Sequence, residues 1–442
     1  MKTSIAFFCV ASLLFSTVST GNAQDTVESP EAQKQKLSPL EFVQKMAESD
    51  ADGKFVMLPQ VSPRGVDKET RAKMLELLAE ELGDKYPDIR ARAATAIGLF
   101  REDAVPYIPE LLKLIGDPEQ TISLHGVYVF ASEALSEIGV ESIEPVMEKM
   151  VGCDAIEYNG LAGVISELGE HEEARAKASV FVDLLKNGPR ERRWPTMFCL
   201  SKLGEVAKPA IPEYIKNLDD KNFNVQVISC RALAVLGADS KDAVPKLLTL
   251  MEKDPKNLLS TRTHAAMCLG AIGPVDGPAD ELIKKFESMI EEPNAFCQER
   301  GLIALGRLGE LAKGSAGFVE GLLENKDFSQ RPEAALAHWQ ITGEADKALA
   351  ELEKRIDDHT YDTRVLKALE SMGPAGVPML DVLLSKLESN DSSLHLMIAE
   401  IMVAMGKEGA AHVAKIRPLA DTAPPEIAIQ LDDAIAKLES IR

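Results

Sequence analysis

Residues 232–237 read Ala-Leu-Ala-Val-Leu-Gly: a small residue, a large apolar one, two variable positions, another apolar residue, then Gly. The phrase returns at Ala134 to Gly139, Val164 to Gly169, Cys199 to Gly204 and Cys268 to Gly273. It continues at Ala304 to Gly309, His338 to Gly343, Ala368 to Gly373 and Ile401 to Gly406. An earlier copy, Ala96 to Phe100, has Arg101 where the others have Gly. The ten copies lie 30 to 38 residues apart, a period that marks a stacked repeat architecture.

Counted back from the Gly slot, apolar residues fall at −8, −5, −4 and −1, which is one face of an α-helix. The Gly is expected to end that helix in a left-handed conformation, which costs a residue without Cβ nothing. About six residues on, Pro106, Pro145, Pro212, Pro245 and Pro378 are expected to open a second helix, where a missing N–H is harmless. That helix is amphipathic too, as Ile211, Tyr214, Ile215 and Leu218 show. A lone pair of such helices cannot cover its apolar face, so the units must stack. The fold expected is all-α, an α-solenoid of about ten helical hairpins.

The pattern resembles the HEAT-like repeats also found in phycobilin lyases and deoxyhypusine hydroxylases. Ile89-Arg90 to Ala96-Ile97-Gly98, followed by Asp103-Ala104-Val105-Pro106, carries the resemblance best, and it covers roughly residues 70 to 420. It implies that an Arg near the start of the first helix joins a hydrogen-bond ladder between units. Arg90, Arg193 and Arg262 hold that place at −11, whereas Tyr128, Tyr158 and Gln226 depart from it. The di-iron chemistry of some relatives needs several His-Glu pairs. Only His171-Glu172 has that form here, too little for a two-metal site.

The ends read differently. Lys2, the apolar run Ile5 to Val18 and Gly21-Asn22-Ala23 form a signal peptide over residues 1–23, with cleavage expected after Ala23. A polar leader over 24–39 is expected to lack structure, and residues 40–70 form an N-terminal cap. Residues 71–442 are the solenoid, closed by a capping helix from Pro425 to Leu438. The expected location is periplasmic or secreted. No later stretch approaches eighteen consecutive apolar residues, so membrane insertion is not expected.

Charge narrows the partners. The 70 acidic residues face 49 basic ones, a net charge of −21 that falls to −22 once Lys2 is removed. Such a field repels nucleic acid and anionic membranes and favours a basic protein or peptide. Aromatics at 5 % are scarce for stacking sugars or bases. Cys153, Cys199, Cys230, Cys268 and Cys297 form no CxxC pair, and two of them sit in the small-residue slot, so they read as buried apolar residues. No G-x-S-x-G, H-E-x-x-H or phosphate-cradling loop occurs. The function expected is a non-enzymatic interaction scaffold. The alternative is an enzyme or metal-dependent protein whose site is assembled across repeats.

Two stretches are candidate sites. Glu48, Asp50, Asp52, Gly53 and Phe55 match positions 1, 3, 5, 6 and 8 of an EF-hand loop, but Pro59 stands where the bidentate Glu belongs. Calcium at Glu48, Asp50 and Asp52 is therefore the one ion the sequence leaves open; no other cofactor is implied. Arg190, Arg192, Arg193 and Trp194 form a basic, aromatic cluster of the kind enriched at interfaces. The bland alternative makes them an inter-repeat turn, with Arg193 in the ladder and Trp194 packed at a helix start. His338, beside Trp339, is read as a core residue.

Overall fold

A computed structural model describes residues 37–252, 258–274, 279–356 and 362–441. The signal peptide and most of the leader read from the sequence lie outside these residues. The described chain is helical throughout, with no β-strand.

Ten hairpins follow one another. We number their first helices α1 (Pro87–Gly98), α2 (Val127–Ile138), α3 (Ala155–Glu167), α4 (Arg193–Lys202) and α5 (Phe223–Leu236). The series continues with α6 (Leu259–Ile272), α7 (Ala295–Arg307), α8 (Arg331–Thr342), α9 (Thr363–Met372) and α10 (Ser392–Met405). A last helix, α11 (Pro425–Ile441), ends the chain. Pro39–Glu48, Ala51–Met57 and Lys68–Glu81 precede the first hairpin.

The Gly slot works, though not by the left-handed helical turn expected. Eight of its nine glycines have positive φ, Gly169 being the exception. Gly343 is left-handed helical, at φ 77° and ψ −4°. Gly139 (φ 102°, ψ −150°) and Gly273 (φ 80°, ψ −177°) lie in a region essentially reserved for glycine. Several of these glycines lead straight into seven-residue 3₁₀ segments such as Gly204–Ala210, Gly237–Ala243 and Gly373–Met379. Pro212 and Pro245 do stand in the first turn of a second helix. Pro106 and Pro378 instead fall within the 3₁₀ connection. Arg101 holds the slot with φ 51°, a strain of about 1 kcal/mol for a residue with a Cβ.

The small-residue slot sets the curvature. A Cβ on Gly98 would stand 2.8 Å from Ala134 Cα, and one on Gly270 would stand 2.7 Å from Ala304 Cα. First helices thus approach nearly backbone to backbone, while successive second helices touch sparsely. A stack tight on one side and open on the other must bend toward the tight side, so α1 to α10 line the inner face. Cys153, Cys199, Cys230, Cys268 and Cys297 are all buried and unbridged, and four of them pack inside these helices.

Position −11 acts as a hook in four of the ten copies. Arg90 donates to Asp84 O at 2.8 Å, Gln226 to Asp220 O at 2.8 Å and Gln298 to Glu292 O at 3.0 Å. His395 Nε2 lies 2.9 Å from Ser389 O. Each reaches the carbonyl six residues upstream, in the link from the preceding hairpin. The arginines add ion pairs: Arg90 with Asp117 at 2.7 Å, Arg262 with Glu292 at 2.7 Å and Arg193 with Asp220 at 3.4 Å. Asp117 is 9 % exposed, so Arg90→Leu strands a nearly buried carboxylate and is expected to cost about 2 kcal/mol. Hydrogen exchange at the α1 amides should accelerate accordingly; unchanged protection would refute the hook.

The solenoid makes one turn and meets itself. Arg64, just before Lys68–Glu81, grips Asp432 on α11 at 2.7 and 3.1 Å, Asp421 at 2.7 Å and the Ala420 carbonyl at 2.9 Å. Arg101 forks onto both carboxylate oxygens of Asp433, the first at 2.7 Å. Neither of the two hydrophobic cores, which divide near Ala335, crosses this seam. A cavity of about 270 Å³ remains there, between Phe42, Val61 and Met74 on one side and Ala423, Pro425 and Ala428 on the other.

Candidate interaction surface

The stretch proposed for calcium is a helix junction. Glu48 ends one helix, and Asp50 caps the next, accepting the Gly53 N–H at 2.9 Å. The Lys54 carbonyl, which an EF-hand loop would turn toward the ion, accepts the Leu58 N–H instead. In place of an EF-hand-like loop over Glu48, Asp50 and Asp52 the structure has a helix junction, in which Asp50 Oδ1 serves as the cap. Among the described residues no three His, Cys, Asp or Glu side chains converge to hold a metal. Phe55 serves packing, its ring 3.7 Å beneath the Arg92 guanidinium.

The basic cluster divides. Arg190, Arg193 and Trp194 line an open cavity of about 470 Å³ with Asp220, Asn222 and Val225, between the starts of α4 and α5. Asp220, 10 % exposed, draws both arginines toward it, at 3.9 and 3.4 Å. Trp194 is 38 % exposed and stacks on Phe198 with ring centroids 5.6 Å apart. Arg192 leaves the group. It donates to the Cys153 carbonyl and lies 4.7 Å from the centre of the Tyr158 ring. Tyr158, which departs from Arg at −11, is fully buried and bonded to Thr196 at 2.8 Å. Burial pushes its hydroxyl up to about 12. Arg192 thus supplies, from the next hairpin, the guanidinium that position 158 lacks.

A larger surface was hidden in the variable positions of the phrase. In α1, α2, α6, α7, α9 and α10 the residues at −9, −6 and −2, on the side away from the second helices, are all exposed or half-exposed. One sector is acidic: Glu133 and Glu137 on α2, Glu167 on α3, Glu400 on α10 and Glu426 on α11. Where α11 closes the turn, Glu426 faces Glu133 and Glu137. The other sector is basic: Arg231 on α5, His264 on α6, and Arg300 and Arg307 on α7. Chain order alone places these helices half a turn from the closure. The sequence showed only isolated charges on solvated helix faces; grouping them requires knowing that every first helix turns the same side inward.

Glu133 records this enclosure. The surrounding protein, then Glu426, Glu137 and Glu167, raise its carboxyl from 4.5 to about 7. Its protonated form is therefore favoured by folding, and stability must fall as pH rises from about 4.5 through 7. The side chain still meets water, which screens the effect to about 1 kcal/mol. Glu133→Gln is expected to raise the denaturation midpoint at pH 8 and leave it unchanged at pH 5. Equal shifts at both pH values would contradict this origin.

Among the buried polar groups, His338 is fully buried, its Nε2 3.1 Å from Glu320 and its Nδ1 without a partner. No described helix is long and apolar enough to cross a membrane.

The family model for HEAT repeats matches residues 211–306. No curated protein matches it. Among solved structures, an engineered protein is similar over 91 % of this chain and 100 % of its own, at 20 % identity and a TM-score of 0.36. Kap121p is similar over 91 % of this chain at 12 % identity and a TM-score of 0.41, and this chain spans 57 % of its length. Yeast importin-beta (Kap95p) is similar over 93 % of this chain and 70 % of its own, at 14 % identity and a TM-score of 0.44. These likenesses concern the solenoid fold alone.

Proposed function

We propose that this HEAT-repeat chain is a non-enzymatic scaffold, exported from the cytoplasm, that binds a protein or peptide on the inner face of its solenoid. The observation that carries the reading is that face itself. First helices present variable side chains to one concave surface, with an acidic group near the closure and a basic group on α5 to α7. A concave solenoid surface lays many weak contacts along one partner, and complementary charge selects and steers it. The acidic sector and the net charge of −21 favour a basic partner.

The test is capture from the exported fraction of the protein's own cells, at low and high salt. One protein is expected at stoichiometric amount on the wild type and on Glu281→Lys, a change on the second helix Asp280–Ile290, and it should be released by salt. Glu133→Lys with Glu137→Lys should lose it. Equal capture by that inner-face variant, or no capture at all, would overturn the reading. Export is read in the same fractionation: a chain beginning at Gln24 in the exported fraction supports it, and an intact Met1 in the cytosol refutes it.

A further inference from the structure

Most arginines here are answered by a carboxylate. Arg64 has Asp421 and Asp432, Arg90 has Asp117, Arg101 has Asp433 and Arg262 has Glu292. Three gathered on α5 and α7 are not answered by a carboxylate from any other helix. Arg231 makes no hydrogen bond or ion pair among the described residues. Arg307 donates to the Met267 carbonyl at 2.9 Å. Arg300 has its neighbour Glu299 at 3.4 Å and the Met267 sulfur at 3.3 Å. Arg300 is close enough to both other guanidiniums, and to His264, to repel them. Crowded like charges cost free energy unless a counter-charge arrives. In a chain with 70 acidic residues, none of the three is met by a carboxylate from another helix.

Apolar surface accompanies them. Val235, one turn beyond Arg231 on the same helix, is 59 % exposed, and Met267 lies between the arginines. The groups span α5, α6 and α7. With helix axes 8–10 Å apart, that is a run of roughly 20 Å, the length of about six extended residues.

We propose that Arg231, Arg300 and Arg307, with Met267 and Val235 between them, bind an extended, carboxylate-rich peptide segment of a partner protein. Guanidinium forks pair two-for-two with carboxylates, and alternate apolar side chains of an extended segment would meet Met267 and Val235. A single small anion would leave most of the run empty, and nucleic acid is repelled by the rest of the molecule. The proposal rests on the scaffold reading and adds a second, oppositely charged site to it.

A short fluorescent peptide of alternating Glu and Val, titrated into the full chain and followed by anisotropy, tests it. Binding is expected to weaken with salt. Arg231→Glu with Arg300→Glu should weaken it about tenfold or more, since like charges then face each other. Glu133→Lys with Glu137→Lys should leave it unchanged, and circular dichroism should show both variants folded. Inorganic phosphate should not displace the peptide; if it does, the sector is an anion site only and the proposal fails. It fails equally if the wild type does not bind, or if the Arg-to-Glu variant binds as well as wild type. Loss of this site with capture of a basic partner intact would leave the scaffold reading standing. Peptide binding without any captured partner would do the reverse.

Discussion

Gly270→Val is expected to lower stability by about 3 kcal/mol or more. A Cβ at this position would stand 2.6 Å from the Ala304 carbonyl oxygen and 2.7 Å from its Cα. Both are backbone atoms of α7, so no side chain can rotate away, and α6 and α7 must separate. Separation forfeits the packing of Cys268, Leu269 and Leu305, all fully buried. Overpacking of a core commonly costs 1–3 kcal/mol, and here relief would require moving a whole helix. Gly321→Val is the control. Gly321 lies on the second helix Ala316–Glu324 with nothing within 4 Å of its added Cβ, so its effect should stay within about 0.5 kcal/mol. Urea denaturation of the two variants decides the matter: equal midpoints would mean that close approach of the first helices does not hold the stack.

Other glycines, those that end the first helices, explain what the sequence could reveal. The hairpins were legible because one backbone demand, a positive φ at the helix end, recurs at a fixed period. The hook at −11 was legible only where it is Arg. Gln298 and His395 do the same work, because any donor of suitable length reaches the upstream carbonyl. The calcium pattern and a helix cap are written alike at Asp50, and the structure uses it as a cap. Arg192 looked like part of an exposed patch; its burial against Tyr158 depends on a residue one hairpin earlier. The inner-face sectors and the closure were not legible. They join side chains that read singly as solvated charges, and Arg64 and Asp432 are 368 residues apart.

Reversing the charge at that closure, with Arg64→Glu and Arg101→Glu together, is expected to open the single turn into a longer superhelix. The seam depends on few contacts. Arg64 and Arg101 are 29 % and 38 % exposed, and ion pairs so exposed are worth roughly 0–1 kcal/mol each. Neither hydrophobic core crosses the seam, and its apolar residues meet around a cavity. The substitutions do more than delete these pairs. They set two carboxylates against Asp421, Asp432, Asp433 and Glu137, at a repulsion of about 1 kcal/mol or more per close pair. An equilibrium that closed pairs hold by a few kcal/mol then favours the open form, and the radius of gyration from small-angle scattering should rise while helix content stays constant. Asp432→Arg with Asp433→Arg, added to the same chain, should restore the closed dimension by exchanging the partners. Arg101→Gly separates charge from strain, since it removes one grip on Asp433 while relieving the φ of 51°. Its scattering should stay near wild type, because Arg64 still grips Asp432 on α11. An unchanged radius in the charge-reversed chain would show that curvature of the first helices closes the turn unaided. In that case the arginines would only decorate a seam fixed by the small-residue slot.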